Sequence, residues 1–98
     1  PPRRASLGAS VRDLSAREAI GVPGGLGQVV TRLGEESAAR RGGLAEGDVV
    51  VALDGVPASS RGALLRALWA RGAGGGPVTL DVWRKGQSIR LAVTPTER

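Results

Sequence analysis

Hydrophobic and polar residues alternate along several short segments of the chain, and residues 7–12 form the first of them. If this segment is extended, apolar side chains lie on one face and polar side chains on the other. The apolar face holds Leu7, Ala9 and Val11, and the polar face holds Ser10 and Arg12. Alternation with a period of two residues predicts a half-buried β-strand.

Three later segments predict the remaining strands. Residues 28–33 (QVVTRL) are rich in β-branched residues, which favour strands. Residues 47–55 (GDVVVALDG) are continuously apolar between turn signals, which predicts a strand buried on both faces. Residues 78–93 alternate on both sides of Lys85-Gly86, which predicts a terminal hairpin.

Helix signals separate these strands. Residues 15–19 begin with a serine cap and predict a short helix that ends by Gly21. Residues 35–43 predict a two-turn helix stopped by glycine, and residues 59–72 predict the longest helix, capped by serine and glycine. The resulting order predicts a mainly β, α+β fold. We expect a small, partly open barrel or sandwich of five to six strands, capped by two to three helices.

The helix predicted over residues 59–72 has two apolar sides. At about 100° per residue, one side carries Leu64 and Ala67, and the adjacent side carries Arg61, Leu65 and Leu68. One interpretation is a helix with a wide stripe facing the core. The other is that one side packs on the sheet while the adjacent side forms the wall of a groove.

The length of 98 residues predicts one domain, with residues 1–5 and 95–98 as flexible ends or linkers. No apolar run approaches the roughly 18 residues of a membrane-spanning helix. The chain contains no methionine, so we expect it to be a piece of a longer protein.

The net charge of +5 comes almost entirely from arginine. A basic balance is one property of nucleic-acid-binding proteins. However, the arginines are scattered along the chain, and only two aromatic residues, Trp69 and Trp83, are available to stack on bases. The sequence therefore argues against a nucleic-acid partner.

Histidine, cysteine and tyrosine are absent from the sequence. Their absence excludes a Ser-His-Asp triad, a Cys-His dyad and a zinc site built on His or Cys. The glycine-rich residues 21–27 and 72–76 lack the Gly-Lys-Ser/Thr ending of a phosphate-binding loop. We expect this chain to hold no catalytic site, metal or cofactor.

Residues 34–60, GEESAARRGGLAEGDVVVALDGVPASS, resemble the signature of bacterial PDZ domains. The opening SLGASVRDLS and the closing VWRKGQSIRLAVTPTER resemble the PDZ domain of HtrA/Deg-type, DegP-like, trypsin-like serine proteases. The resemblance covers nearly the whole chain in family order. It implies a PDZ fold with the permuted bacterial strand order, in which the ligand-binding strand comes first.

The resemblance implies that a polypeptide segment adds as an extra strand between residues 8–13 and the helix at residues 60–70. The implied loop for the peptide carboxylate is Ser6, Leu7, Gly8 and Ala9, and the implied pairing strand is Ala9, Ser10, Val11 and Arg12. The implied groove residues of the helix are Arg61, Leu65 and Leu68, while Arg3 or Arg4 would add long-range attraction or remain solvated surface.

Two positions depart from the family pattern. Ser6 stands where the family usually has a large residue, and Ala9 stands where it usually has Val or Ile. Smaller side chains widen the pocket, so our hypothesis is that it accepts a bulky or aromatic C-terminal side chain. The alternative is a degenerate site that binds free C-termini poorly.

The resemblance implies a module that captures C-terminal or unfolded polypeptide segments for an attached HtrA-like protease domain. It also implies protein quality control in the bacterial periplasm or cell envelope. One alternative is the PDZ domain of a site-2 protease, a C-terminal processing protease or a secretion-system component. Another is an assembly domain that docks subunits and binds no free peptide.

Overall fold

The structure, a computed structural model, describes residues 5–71 and 76–97. Its helices are α1 (Ala16–Ile20), α2 (Ala38–Arg41) and α3 (Arg61–Arg71), with a 3-10 turn at Pro23–Gly25. Its strands are β1 (Ala5–Ser6), β2 (Ala9–Asp13), β3 (Gln28–Leu33), β4 (Val49–Leu53), β5 (Val56–Pro57), β6 (Val78–Arg84), β7 (Gln87–Val93) and β8 (Thr96–Glu97).

Six strands form one antiparallel sheet in the order β2-β3-β4-β6-β7, with β5 paired to β4. This open sheet with three helices confirms the predicted fold class. In this order β2 and β7 lie at the two ends, so each pairs with a single neighbour. The segments expected as flexible ends include Ala5 and Thr96–Glu97, which form the separate pair of β1 and β8. Residues 1–4 and 98 lie outside the described residues.

The sheet is covered on both faces at its centre. Val49 and Val50 are consecutive in β4, so their side chains point to opposite faces. Val50 belongs to the main core, which α3 closes with Leu64 and Leu68, whereas Val49 belongs to a smaller cluster with Val22 and Val29. The prediction of a strand buried on both faces is confirmed at these positions.

The helices begin where a serine side chain accepts a backbone N–H. Ser37 Oγ accepts the N–H of Arg40 at 3.1 Å, so α2 begins at Ala38 and is shorter than the two-turn helix predicted over residues 35–43. Ser60 Oγ accepts the N–H of Ala63 at 3.0 Å, so α3 begins at Arg61.

The terminal hairpin turns at Lys85-Gly86, as predicted. Both residues have positive φ, 49° and 79°, which is the backbone of a tight hairpin turn. Asp48, which directly precedes β4, is 3% exposed, and its carboxylate accepts charge-assisted hydrogen bonds of 2.5 and 2.8 Å from Arg84 of β6. Hydrogen bonding to Asp48 raises the pKa of Arg84 above its ordinary value.

No helix among the described residues is long and apolar enough to cross a membrane.

Candidate functional site

The backbone of β2 presents hydrogen-bonding groups on the open side of the sheet. Val11 lies opposite Val30 of β3. Val30 donates its N–H to Asp48 and accepts the N–H of Gly47, both at 2.8 Å, so both its groups point toward β4. The Val11–Val30 pair is therefore a non-hydrogen-bonded pair, and the N–H and C=O of Val11 point away from β3. An extended segment can hydrogen-bond to these groups.

The side chains of β2 follow the predicted alternation. Ala9 and Val11 are half-buried and pack against the main core, while Ser10 and Arg12 are exposed. The strand covers Ala9–Asp13 and not residues 7–12, because Gly8 leaves the extended conformation with a φ of +74°. This turn separates the strand from Leu7, which is 8% exposed in the core.

The loop before β2 turns its carbonyl groups inward. The carbonyl of Leu7 accepts the N–H of Ala39 at 2.9 Å, and the carbonyl of Gly8 accepts the N–H of Gly34 at 3.1 Å. In a trans peptide the C=O and the following N–H point in opposite directions. The N–H groups of Gly8 and Ala9 therefore point away from α2 and β3.

Glycine is required at position 8. A Cβ on Gly8 would lie 2.5 Å from the Cβ of Ser37 at the start of α2, and the φ of +74° is strained for any other residue. The close approach of Gly8 to Ser37 lets Leu7 and Gly8 reach their partners in α2 and the β3–α2 loop. The sequence alone does not reveal this contact.

Helix α3 lies beside β1 and β2. Leu64 and Leu68 are 4% and 2% exposed and belong to the main core. Leu65 is half-buried and lies outside that packed cluster, and Arg61 is exposed. Leu68 therefore faces the core, as in the first interpretation of the helix. Leu65 and Arg61 share the adjacent side of α3, where the second interpretation expects the wall of a groove.

The structure does not describe every residue of the sequence-based site. Arg3 and Arg4 lie outside the described residues. Ser6 lies in β1, where its backbone pairs with Thr96. The remaining residues lie around one edge of the sheet, namely Leu7, Gly8, Ala9, Ser10, Val11 and Arg12 along the loop and β2, and Arg61, Leu65 and Leu68 on α3.

Arg12 is engaged with α1 on the outer side of β2. Its guanidinium donates two hydrogen bonds to Glu18, at 2.7 and 2.8 Å. The carboxylate of Glu18 also accepts the N–H of Ser15 in a capping box. The hydrogen bond from Arg12, followed by that from Ser15, lowers the pKa of Glu18 from 4.5 to about 2. Arg12 is therefore a structural contact between β2 and α1 as well as a residue of the pairing strand.

Two neighbours of the site were missed from the sequence. Arg32 of β3 lies directly opposite Ser10 and is exposed. Gln28 is fully buried and donates to Asp13 at 2.7 Å, at the far end of β2. Both depend on the register between β2 and β3, which contains an irregularity between Ser10 and Val11. Alternation within one strand does not reveal its register with the next.

The family model for the PDZ domain matches residues 5–94, and the chain belongs to the PDZ domain family. Comparison with curated protein sequences gave no match. The chain is similar to solved structures of HtrA-type proteases. One is "HtrA-type protease AlgWS227A with decapeptide", with a TM-score of 0.85, 27% identity, and coverage of 100% of this chain and 30% of that chain.

Two further structures share the fold. The HtrA3 PDZ domain bound to a phage-derived ligand (FGRWV) has a TM-score of 0.79 and 21% identity, covering 99% of this chain and 89% of that one. The serine endoprotease from Yersinia pestis has a TM-score of 0.78 and 20% identity, covering 98% of this chain and 30% of that one. The chain thus spans less than a third of the two protease chains.

Proposed function

We propose that this PDZ domain binds the C-terminal end of a polypeptide as an additional strand on β2. The observation that carries the proposal is the backbone at this edge of the sheet. Val11 presents its N–H and C=O to the open side, and the loop that enters the strand has turned the carbonyls of Leu7 and Gly8 inward. Extended ligands that join a sheet edge gain affinity from such main-chain hydrogen bonds.

The terminal carboxylate lies against the loop Ser6–Leu7–Gly8–Ala9 in this proposal. The N–H groups of Gly8 and Ala9 point away from the elements that bind the loop carbonyls, and successive N–H groups form a concavity that suits an anion. The two HtrA-type structures named above with bound peptides support a peptide ligand.

The last side chain of the ligand packs between β2 and α3. Ala9 and Val11 supply the floor, and Leu65 supplies the wall because it is half-buried but outside the packed core. Ala9 is small, so the pocket accommodates a bulky or aromatic side chain better than alanine. Leu68, at 2% exposure, supports the floor from within the core.

The proposal is tested by titrating the domain with a C-terminal decapeptide library, comparing free-carboxylate and amidated forms of the tightest binders. We expect peptides with a free C-terminal carboxylate to bind with micromolar affinity, and we expect amidation of that carboxylate to abolish binding. Peptides that end in an aromatic residue should bind more tightly than peptides that end in alanine. The variant Leu65→Glu places a second negative charge beside the ligand and weakens binding at least tenfold. Leu68→Glu is unsuitable because a buried charge unfolds the core.

Ile20→Glu is the matched control, since Ile20 of α1 is 88% exposed. This variant adds the same charge and is expected to bind peptide like the original chain. Equal binding of free and amidated peptides would contradict carboxylate capture and favour internal segments or an assembly role. Self-association in gel filtration without peptide binding would favour the assembly role.

We further propose that this domain delivers substrate to, or regulates, an HtrA-like serine protease domain in the same parent chain, in the bacterial periplasm or envelope. The similarity to HtrA-type proteases supports this step. In a longer protein that contains this chain, the tightest peptide should change the rate of casein cleavage. This second proposal would be contradicted if the rate of casein cleavage is the same with peptide, without peptide and in the Leu65→Glu variant.

A further inference from the structure

The last residue of β2, Asp13, directs its backbone carbonyl to the open side of the sheet. Asp13 lies opposite Gln28, which is two residues before Val30 on β3. Both backbone groups of Val30 point toward β4, and the direction of these groups alternates along a strand, so those of Gln28 also point toward β4. The carbonyl of Asp13 is therefore directed away from β3, like that of Val11.

The side chain of Arg12 occupies this outward carbonyl. Its Nη1 donates a hydrogen bond to the carbonyl oxygen of Asp13 at 3.0 Å, and the same guanidinium donates two hydrogen bonds to Glu18 of α1. Glu18 is fixed in turn because its carboxylate accepts the N–H of Ser15. A guanidinium held at three oxygens competes with any N–H that approaches Asp13 from outside the sheet.

The residue Asp13 is also held from the inner side of the sheet. Its carboxylate accepts a hydrogen bond of 2.7 Å from Nε2 of Gln28, which is fully buried. The next residue, Leu14, packs with the smaller cluster around Val49. These contacts fix the end of β2, so Asp13 does not move outward to meet a ligand.

The position of Asp13 corresponds to a defined residue of a bound peptide, and this step rests on the proposed function. A ligand whose C-terminal end lies at the start of β2 runs antiparallel to it. If its last residue lies beside Ala9, its third-from-last residue lies beside Val11 and its fifth-from-last residue beside Asp13. The main-chain groups of Val11 are open to the ligand, but the carbonyl of Asp13 is already bonded to Arg12.

We propose that Arg12, held by Glu18, ends the ligand-binding edge after Val11, so that the domain selects chain ends over longer extended segments. Only the last four residues of a ligand pair with β2. An internal segment that runs along the whole strand gains no further main-chain hydrogen bond. A charged side chain that closes part of a strand edge also protects that edge from pairing with other chains.

The test compares two N-acetylated peptides that share the last four residues of the tightest free-acid decapeptide from the titration above. One is the tetrapeptide alone, and the other carries six further residues of alternating Ser and Thr, which add no charge. We expect the two dissociation constants of the original chain to agree within about twofold, because the added residues gain no main-chain hydrogen bond.

Variants of the ion pair should restore a dependence on length. Thr favours strands but is too short to reach the Asp13 carbonyl, so in Arg12→Thr we expect the long peptide to bind about three- to tenfold more tightly than the short one. Glu18→Gln releases Arg12 from α1 and should give a gain of at least about twofold. The ratio within each variant cancels any general loss of affinity.

Arg32→Thr is the matched control. Arg32 is exposed on the neighbouring strand β3, and this variant makes the same change in side chain and net charge as Arg12→Thr. It should leave the two peptides within about twofold of each other. A gain for the long peptide in Arg32→Thr as large as in Arg12→Thr would attribute the effect to net charge and overturn the proposal.

Exchange of the amide hydrogens of the ¹⁵N-labelled long peptide locates the end of the pairing. We expect the amide of its third-from-last residue to be protected on every variant. The amide of its fifth-from-last residue should be protected on Arg12→Thr and unprotected on the original chain, because it gains the Asp13 carbonyl as an acceptor. Protection of this amide on the original chain would overturn the proposal.

The outcomes separate this inference from the proposed function. Equal binding of free and amidated ends overturns the proposed groove itself. Binding that needs the free carboxylate, with the long peptide at least fivefold tighter than the short one on the original chain, overturns only the closed edge. No gain for the long peptide on Arg12→Thr also overturns it, and a gain on Arg12→Thr without one on Glu18→Gln overturns the role of Glu18.

Discussion

Gly8 connects the fold to the proposed carboxylate loop. Its positive φ and its 2.5 Å Cβ approach to Ser37 are separate constraints, one on the backbone and one on space. Gly24 meets the first constraint alone, since its φ is +79° and nothing lies within 4 Å of its Cβ position. Comparing Gly8 with Gly24 therefore separates the effect of backbone strain from the effect of close packing.

We predict that Gly8→Ala lowers the free energy of unfolding by about 2–3 kcal/mol and weakens peptide binding at least fivefold, because the loop shifts from Ser37. Gly24→Ala, the control, costs about 1 kcal/mol and leaves binding unchanged. Urea denaturation and peptide titration measure the two effects. Equal losses of stability in the two variants would show that the contact with Ser37 does not matter.

The residues of the site differ in how far the sequence predicts them. The alternation of Ala9, Ser10 and Val11 follows from the pattern alone, because a strand has a strict period of two. The inward carbonyls of Leu7 and Gly8 and the position of Arg32 depend on contacts distant in sequence. The sequence contains no local signal for them.

At the scale of elements, β2 is joined to α1 by the Arg12–Glu18 ion pair. The pair has two hydrogen bonds, and Glu18 also caps α1 through Ser15. The side chain of Glu18 is 37% exposed, so solvent screens its attraction to Arg12. It still holds the edge strand β2 near α1.

The lowered pKa of Glu18 predicts a pH dependence of stability. A carboxyl group with a folded pKa of about 2, against an ordinary 4.5, stabilises the fold fully above pH 4.5 and progressively less as the pH falls toward 2. We expect the Tm difference between the original chain and Glu18→Gln to be largest near neutral pH and to narrow over this range.

Thermal unfolding followed by circular dichroism at several pH values measures this difference. Glu35→Gln is the control, because Glu35 is exposed and forms no ion pair with the described residues. If the Tm difference of Glu18→Gln stays constant from pH 4.5 to pH 2, the ion pair does not contribute to stability.

Element boundaries were predicted less well than element types. The helix over residues 35–43 shortens to Ala38–Arg41 because Ser37 caps it late and Gly42 packs on β7, where a Cβ would lie 2.5 Å from Val93. The capping serine is visible in the sequence, but the approach of Gly42 to Val93 joins residues that are 51 positions apart. Tertiary packing decided the length of this helix.

At the scale of the whole molecule, the strand order of the six-stranded sheet begins at β2 and ends at β7 in the part of the chain that the structure describes, and these two ends are not equivalent. Gly42, which directly follows α2, lies against β7, where a Cβ would approach the carbonyl of Ala92 to 3.1 Å, so part of that edge is covered. The edge of β2 is flanked by α3 but leaves the N–H and C=O of Val11 directed outward. Of the two, β2 is therefore the edge at which the proposed ligand strand would add.

This asymmetry predicts where a peptide protects backbone amides from hydrogen exchange. With saturating C-terminal peptide, we expect the Val11 amide to exchange at least tenfold more slowly, because it gains a hydrogen bond in a newly central strand. Amides of β7 should exchange at unchanged rates. Residue-resolved exchange by NMR, with and without peptide, measures both edges in one experiment. Protection along β7 with no change at Val11 would place the ligand on the opposite edge and contradict the groove between β2 and α3.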